Sequence, residues 1–255
     1  MLRFGSSGFS YKDWVGPFYP QGLPERERLA FYAREFDTVE LNVTFYRPPS
    51  AKNVAAWVER TPPDFTFAVK AFRGLTHERA APDFAGFVQA VQPLAAAGKL
   101  ACVLAQFPQS FHPTPANEDY LARLREGLGD LPAVVEFRDA AWVTDATFER
   151  LRALGLGFAC VDEPRLKGLM PPIAVATGPV GYVRFHGRNA RQWYKHEHAW
   201  QRYDYNYSRD ELAEWVPKLR ALDQAAPLTL VYFNNAWQGQ GLANARTLRE
   251  LLAET

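Results

Sequence analysis

The chain has 255 residues, a formal net charge of +1, 47% hydrophobic residues and 22% charged residues. These values are typical of a soluble globular protein with a sizeable core. The near-neutral charge gives no overall electrostatic reason to expect a nucleic-acid partner, although a local basic patch stays open. The opening MLRFGSSGFS has no apolar stretch of signal-peptide length, and no run elsewhere reaches membrane-spanning length.

The two cysteines point to a reducing compartment. Cys102 and Cys160 both lie in apolar, strand-like runs, LACVLAQF and GFACVD. In such runs a cysteine behaves as a small buried hydrophobe, and two of them do not make a disulfide framework. We therefore expect a cytoplasmic protein that does not associate with membranes, and the sequence leaves its oligomeric state unknown.

Strand-like and helix-like segments alternate along the whole chain. The predicted strands are Leu2–Gly5, Thr38–Asn42, Phe65–Ala71, Leu100–Phe107, Ala133–Arg138, Gly157–Asp162, Val180–Gly187 and Leu228–Asn234. The predicted helices are Leu23–Glu35, Ala51–Arg60, Asp83–Ala97, Pro115–Leu128, Asp145–Leu154, Arg209–Asp223 and Leu242–Ala253. Residues 163–179 are rich in proline and glycine without a helical period, so the crossover helix after the sixth strand should be short or missing.

This alternation predicts βαβ units and a parallel sheet. No proline- or serine-rich linker and no internal repeat divides the chain. A single α/β domain over residues 1–255, folded as a TIM (β/α)8-type barrel, is the simplest arrangement of eight such units. A doubly wound open sheet is the alternative, but the first strand is not followed by a G-x-G-x-x-G turn.

The segment TVELNVTFYRPPS, which starts at Thr38, carries the first sign of a functional site. Glu40 and Asn42 are two residues apart in a predicted strand and so share one face. A carboxylate is rarely buried without a partner. Either Glu40 pairs with a buried Arg or Lys to hold the fold together, or the strand delivers both side chains to a pocket.

Most of the other strands show the same asymmetry. On the face that carries the polar end, each strand is apolar at its start and polar at its carboxyl end. These polar ends are Lys70, Gln106, Glu136, Arg138, Asp162, Arg184, His186, Arg188 and Asn234. Because barrel enzymes build their sites at the carboxyl ends of the strands, we expect these groups to converge on one cavity.

Seven segments resemble a known family. They are GSSGFSYKDWVGPFYP, TVELNVTFYRPPS, FAVKAFRGLTHE, LAQFPQSFH, VEFRDAAW, VRFHGR and VYFNNAW. In order and over nearly the whole chain, they resemble the domain-of-unknown-function 72 family, the YecE-like proteins. The resemblance implies a TIM barrel and supplies no activity. The residues that it favours as functional are Glu40, Asn42, Lys70, Gln106, Glu136, Arg138, His186 and Asn234.

The candidate catalytic residues are Glu40, Lys70, Glu136 and His186. Glu40 and Glu136 can face each other across the mouth and act as acid and base, a pair that glycosidases also need. Lys70 could keep both ionised, or be an amine of lowered pKa for Schiff-base chemistry. The structural alternative is a salt-bridged ring of Glu40, Lys70, Glu136 and Arg138 that only closes the barrel top.

The candidate substrate-binding residues combine cations, amides and aromatic rings. They are Tyr11, Trp14, Asn42, Tyr46, Gln106, Arg138, Asp162, Arg184, Arg188, Asn234 and Trp237. Basic side chains can clamp a phosphate or carboxylate, and rings in the loops after strands can stack on a base or sugar. Several of the rings could equally belong to the core.

No cofactor is predicted. Glu40, Glu136, Asp162 and His186 are side-chain types that bind divalent metal ions, so a metal stays open as a minor alternative. Lys70, Arg138, Arg184 and Arg188 lie on the same predicted rim and would repel a dication.

These observations favour a metal-independent hydrolase or transferase-like enzyme. Its substrate would be phosphorylated, nucleotide-like or nucleic acid, with Glu136 or Glu40 as general base and His186 as acid. A carbohydrate-active enzyme that uses Glu40 and Glu136 is the first alternative. The second is a barrel that binds nucleic acid or another partner without turnover.

Overall fold

Eight parallel strands and eight α-helices make up the computed structural model, which describes residues 1–254. The strands are β1 Leu2–Ser6, β2 Thr38–Leu41, β3 Thr66–Lys70, β4 Leu100–Gln106, β5 Ala133–Glu136, β6 Gly157–Asp162, β7 Val180–Phe185 and β8 Leu228–Phe233. The helices are α1 Arg28–Tyr32, α2 Ala51–Glu59, α3 Phe84–Ala96, α4 Pro115–Leu128, α5 Asp145–Ala153, α6 Arg209–Ala213, α7 Val216–Ala225 and α8 Gln240–Glu254. The strand order, β1-β8-β7-β6-β5-β4-β3-β2, confirms the predicted α/β TIM-type barrel.

The barrel closes between β1 and β2. The Gly8 amide donates a 2.8 Å hydrogen bond to the Glu40 carbonyl. Lower on the same seam, the Tyr32 hydroxyl accepts from the Ser6 amide at 2.8 Å and donates to the Thr38 carbonyl at 3.2 Å. A Cβ at Gly5 would lie 2.0 Å from the Thr38 oxygen, so only glycine permits this approach.

Three helical regions differ from an idealised repeat. Residues 163–179 contain no helix, which confirms the predicted missing crossover helix. The first predicted helix is reduced to a 3-10 turn, Glu25–Glu27, followed by the five residues of α1, and neither has a capping side chain. The predicted helix Arg209–Asp223 divides into α6 and α7, because Pro217 lacks the N–H that would continue the hydrogen bonds of α6.

The core has two parts. One lies between the strands and the outer helices, and the other fills the barrel interior. The interior side chains are Ala68, Ala101, Cys102, Leu104, Val134, Ala159, Val180, Tyr182, Leu230 and Tyr232. Most of them occupy the lower and middle layers of the barrel, so the charged groups of the next layer stand on an apolar floor.

Both cysteine thiols are free and buried, as predicted. Cys102 belongs to the barrel interior. Cys160 faces outward, where its sulfur accepts from the Val175 amide at 3.4 Å. None of the described helices is long and apolar enough to cross a membrane.

A buried lysine holds the carboxyl end of α2. Lys99 is 5% exposed, and its ammonium donates to the carbonyls of Val58, Thr61 and Pro62 and to the Thr61 hydroxyl at 2.7–3.0 Å. Val58 lies in the last turn of α2 and Thr61 and Pro62 follow it, where a cation is favourable.

Lys99→Met is expected to lower the free energy of unfolding by about 2–4 kcal/mol, since it removes the charged donor of the buried Thr61 carbonyl. Urea denaturation measures the change. Lys52→Met, at an exposed position of α2, is the matched control and should change stability by less than about 0.5 kcal/mol. Equal effects of the two substitutions would contradict this role of Lys99.

Candidate functional site

Arg184 lies at the centre of the barrel mouth. It comes from β7 and is 2% exposed. Its Nη2 donates to Glu40 Oε1 on β2 at 2.7 Å, and its Nη1 donates to Glu136 Oε2 on β5 at 2.6 Å. One guanidinium therefore joins carboxylates from two well-separated strands.

The second oxygen of each carboxylate also has a neighbour. The Tyr182 hydroxyl donates to Glu40 Oε2 at 2.6 Å. Glu136 Oε1 lies 2.7 Å from Arg138 Nε and 3.3 Å from His186 Nε2. We call Glu40, Glu136, Arg138, Arg184 and His186 the central charge cluster.

The protonation states of Glu136 and His186 in the central charge cluster are fixed at neutral pH. Burial alone would raise the pKa of Glu136, but Arg138 and Arg184 outweigh it and hold that pKa well below its usual range. Burial and the charge of Arg138 lower the pKa of His186 to about 3. The Asn234 amide nitrogen lies 3.1 Å from His186 Nδ1, which fits a neutral ring whose proton is on Nε2. Glu136 is thus a weak base and His186 is already neutral.

Lys70 stands apart from these pairs. It ends β3 and is half-buried, and its ammonium has no hydrogen bond or ion pair within residues 1–254. Its Nζ lies 4.5 Å from the centre of the Phe45 ring. Burial and the charge of Arg184 lower the pKa of Lys70 to about 8, although Glu136 and Glu40 act in the opposite direction. The alternative of a salt-bridged ring that includes Lys70 is therefore wrong in its cation, because Arg184 and not Lys70 joins the two carboxylates.

A cavity of about 370 Å³ opens at the mouth beside the central charge cluster. We call it the mouth cavity. Its lining residues are His77, Gln106, Pro108, Gln109, Arg138, Leu169, Trp193, Tyr194, Arg202 and Tyr203. Within the described residues, no carboxylate is part of this lining. Arg202 has no ion-pair partner in residues 1–254 and lies 5.4 Å from the centre of the Trp193 ring. The volume falls within the usual range for small-molecule sites.

The aromatic wall belongs to residues 188–207, which we call the mouth loop. Its two ends are fastened to one buried carboxylate. Asp162 accepts two 2.8 Å hydrogen bonds from Arg188 at the start of the loop and one of 2.8 Å from the Tyr207 hydroxyl at its end. Trp215 Nε1 donates a fourth at 2.8 Å. Burial would raise the pKa of Asp162, but the bonds from Arg188 and Trp215 lower it.

Strand β6 faces the opposite way from the prediction. Phe158 and Cys160 pack outward, and Ala159 lies in the barrel interior. Asp162 and Arg188 are therefore not brought into the mouth cavity, which corrects their expected position. Their ion pair anchors the mouth loop instead.

Glu163, the next residue along the chain, takes the inward position that was expected for Asp162. Its Oε2 lies 3.5 Å from Arg138 Nη1, and its Oε1 accepts from the Met170 amide at 2.8 Å. Burial raises the pKa of Glu163 to about 7, despite the opposing charge of Arg138. Glu163 and Glu136 thus hold the Arg138 guanidinium from two sides.

The predicted aromatic residues do not line the mouth cavity. Trp14 is fully buried and donates from Nε1 to the Ala236 carbonyl, and Tyr11 packs on it at 4.8 Å between ring centres. Tyr46 is exposed, and Trp237 stacks on Trp200 at 3.8 Å. All four of these rings pack against other rings of the protein, Tyr46 against Phe45, so sequence position after a strand did not identify the rings that line the cavity.

Asn42 lies apart from the central charge cluster. It lines a second pocket of about 340 Å³ with Phe9, Tyr11 and Trp57. Its side-chain oxygen is buried and has no hydrogen-bond partner in the described part of the chain. Gln106, by contrast, reaches the mouth cavity as predicted from strand parity.

Four residues that sequence reasoning missed all lie in loops. They are Glu163, Tyr194, Arg202 and Tyr203. His77 and Trp193 follow predicted strands and were possible members of the site, and both line the mouth cavity. The aromatic and charged composition of the mouth loop was the available signal, but loops have no side-chain period that says which residues turn inward. His77, after β3, has a pKa lowered to about 4 by burial and by the charge of Lys70. No group of three His, Cys, Asp or Glu side chains in residues 1–254 is arranged to hold a metal ion.

The family model described as "Protein of unknown function DUF72" matches residues 3–255. UPF0759 protein YunF of Bacillus subtilis is 33% identical, and the alignment covers 99% of this chain and 95% of that protein. A DUF72 family protein of Thermotoga maritima has a TM-score of 0.91 at 39% identity, with 99% of each chain covered. One from Enterococcus faecalis has a TM-score of 0.88 at 28% identity, with 99% and 96% covered. The chain therefore belongs to the DUF72 family.

Proposed function

We propose that this chain is an enzyme that binds a small phosphorylated, nucleotide-like substrate in the mouth cavity and acts as a hydrolase or transferase. The observation that carries the proposal is the lining of that cavity. It combines two guanidinium groups, Arg138 and Arg202, with the rings of Trp193, Tyr194 and Tyr203 and includes no carboxylate of the described residues.

The two arginines suit an anion in different ways. Arg138 is held in place by Glu136 and Glu163, so little side-chain freedom is lost when it binds a ligand. Arg202 has no carboxylate partner in residues 1–254, so an incoming phosphate does not have to displace one. Planar guanidinium groups bind phosphate oxygens in pairs, which favours a phosphate or carboxylate over a neutral group.

The rings favour a substrate with a flat or sugar-like part. Base–aromatic stacking is worth about 1–3 kcal/mol per base and tolerates different bases. Tyr194 is exposed and Trp193 is nearly buried, so Tyr194 offers the larger ring surface to a ligand. Gln106, at the end of β4, adds an amide to the lining.

In this proposal the charged groups divide their work. Glu40 and Glu136 hold arginine side chains, because both are fully buried and both accept from Arg184. Lys70 is the reactive group in this proposal, because its pKa of about 8 leaves part of its amine neutral near pH 7. The alternative carbohydrate-active enzyme needs a water-accessible carboxyl pair, which this burial does not favour.

Isothermal titration with a 5′-nucleoside monophosphate and the matching nucleoside tests the proposal. The monophosphate should bind, and Arg202→Met should weaken it by about tenfold or more, as expected for the loss of a charge-assisted hydrogen bond. Arg191→Met, at an exposed position of the same loop, is the control and should bind like the unaltered protein.

Equal affinity for nucleoside and monophosphate would refute the anion site. If the monophosphate binds but neither phosphate nor base is released at any pH, the chain is a non-catalytic binding barrel and not an enzyme.

A further inference from the structure

We propose that Lys70 forms a Schiff base with an aldehyde or ketone that also carries a phosphate or carboxylate group. The inference rests on the proposed function for the anionic part of the substrate and adds the chemical class of the reacting part. It follows from the Lys70 amine, which has no hydrogen bond or ion pair in residues 1–254, whereas Glu40, Glu136 and Arg184 beside it are paired.

Lys70 lies close to the mouth cavity. Its backbone is fixed in β3, where its carbonyl accepts from the Thr44 hydroxyl at 2.6 Å and its Cα pairs with that of Leu104. Its side chain rests on Phe45, and His77 packs on the same ring with 4.9 Å between ring centres. Because His77 lines the mouth cavity, Lys70 lies beside the proposed anion site.

The Lys70 ammonium has no counter-ion within residues 1–254. Glu136 and Glu40 are the carboxylates that act on the Lys70 charge, and Arg184 occupies one oxygen of each. Tyr182 takes the other oxygen of Glu40, and Arg138 lies 2.7 Å from the other oxygen of Glu136. Lys70 therefore has no paired partner to give up when it reacts.

The charges around Lys70 and its burial together determine its protonation state. Lys70 faces Arg184 and Arg138, which disfavour its ammonium form, and Glu136 and Glu40, which favour it. The Phe45 ring favours the ammonium form, while burial acts against it. The result is a pKa of about 8, so about a tenth of Lys70 is the nucleophilic free amine at pH 7.

The covalent step balances without an oxidant or reductant. The neutral Nζ attacks the carbonyl carbon, a C–N bond forms, and the nitrogen proton passes to the carbonyl oxygen through water in the open mouth. A second proton converts the resulting hydroxyl into a leaving water, and the C–O bond breaks. Overall, the carbonyl compound and the Lys70 ammonium give a protonated imine and one water.

Borohydride trapping of the unaltered protein tests the proposal. The protein is incubated with dihydroxyacetone phosphate, reduced with sodium borohydride, digested, and examined by peptide mass spectrometry. The adduct on Lys70 should exceed that on the exposed residues Lys12 and Lys52 by a factor on the order of 10 to 100, which reflects its larger share of neutral amine. Lys70→Arg keeps the charge and should give no adduct at this position.

Dihydroxyacetone without the phosphate separates the two proposals. A much lower yield at Lys70 supports both the imine and the anion site. Equal yields from the two ketones would overturn the requirement for an anionic group in the Schiff-base substrate, whereas the monophosphate titration decides the proposed function separately. No adduct on Lys70, while nucleoside monophosphates still bind, would overturn the Schiff base and leave the proposed function standing.

Discussion

Replacing Arg184 by Met is expected to lower the free energy of unfolding at pH 7 by about 3–5 kcal/mol, because it leaves two buried carboxylates without their shared cation. Glu40 and Glu136 are both fully buried and cannot recover water. Urea denaturation at pH 7 measures the loss. Arg26→Met, at an exposed surface pair with Glu27, is the control and should change stability by less than about 0.5 kcal/mol.

The pH dependence of the same variant follows from Glu136. Its pKa is held well below the ordinary value of 4.5 in the folded protein, so the stability it contributes is present above pH 4.5 and is lost as the pH falls through the folded pKa. The difference between the unaltered protein and Arg184→Met should therefore shrink in acid.

The triple variant Glu40→Gln, Glu136→Gln, Arg184→Met should recover most of the loss, since no unpaired charge is left in the barrel. If Arg184→Met alone were as stable as the unaltered protein at pH 7, the central charge cluster would not have the structure described.

Asp162→Ala is expected to destabilise the protein by about 3–5 kcal/mol and to loosen the mouth loop, because a buried ion pair loses one partner. Arg188, Tyr207 and Trp215 would all lose an acceptor at 2.8 Å. Hydrogen exchange should accelerate across residues 188–207 more than in the strands. Nucleoside monophosphate affinity should fall as well, because that loop carries Arg202 and Trp193.

The control for this prediction is Asp119→Ala, whose side chain is 83% exposed and, within residues 1–254, pairs only with Arg150. It should leave stability and loop exchange within about 0.5 kcal/mol of the unaltered protein. The pKa of Asp162 is lowered in the folded protein, so its contribution is present above the ordinary value of 3.8 and is lost in acid. Unchanged exchange in the mouth loop after Asp162→Ala would show that Asp162 does not fasten it.

The alternation of side chains along each strand predicted the central residues, because residues two apart must lie on the same face of a strand. Glu40, Glu136 and Arg184 were expected at one mouth, and the structure places them in direct contact. The partners were not predictable, since which arginine reaches which glutamate depends on strand stagger across the barrel. Lys70 was a candidate for the pairing role and is instead unpaired in residues 1–254.

Parity failed at β6 for a physical reason. Asp162 and Glu163 are adjacent, so one faces in and the other out, and a polar end alone does not say which. The small residue Ala159 fits the crowded barrel interior, whereas the large Phe158 packs outward against the ring of Phe148 at 5.2 Å. Side-chain size, and not polarity, was the informative signal on this strand.

The aromatic predictions failed because rings after strands serve the core as well as ligands. Trp14 and Trp142 each donate an indole hydrogen bond to a backbone carbonyl and are almost completely buried. A buried indole with a satisfied N–H is typical of a core position. The rings that line the mouth cavity lie in the mouth loop, whose two ends donate hydrogen bonds to Asp162.

A crystal structure of the protein with a bound 5′-nucleoside monophosphate would test the central claim most directly. We expect the phosphate to lie within hydrogen-bond distance of Arg138 or Arg202 and the base to pack against the rings of the mouth loop. Lys70 should still have no carboxylate partner. A phosphate bound elsewhere, or Lys70 turned onto Glu40 or Glu136 in place of Arg184, would contradict it.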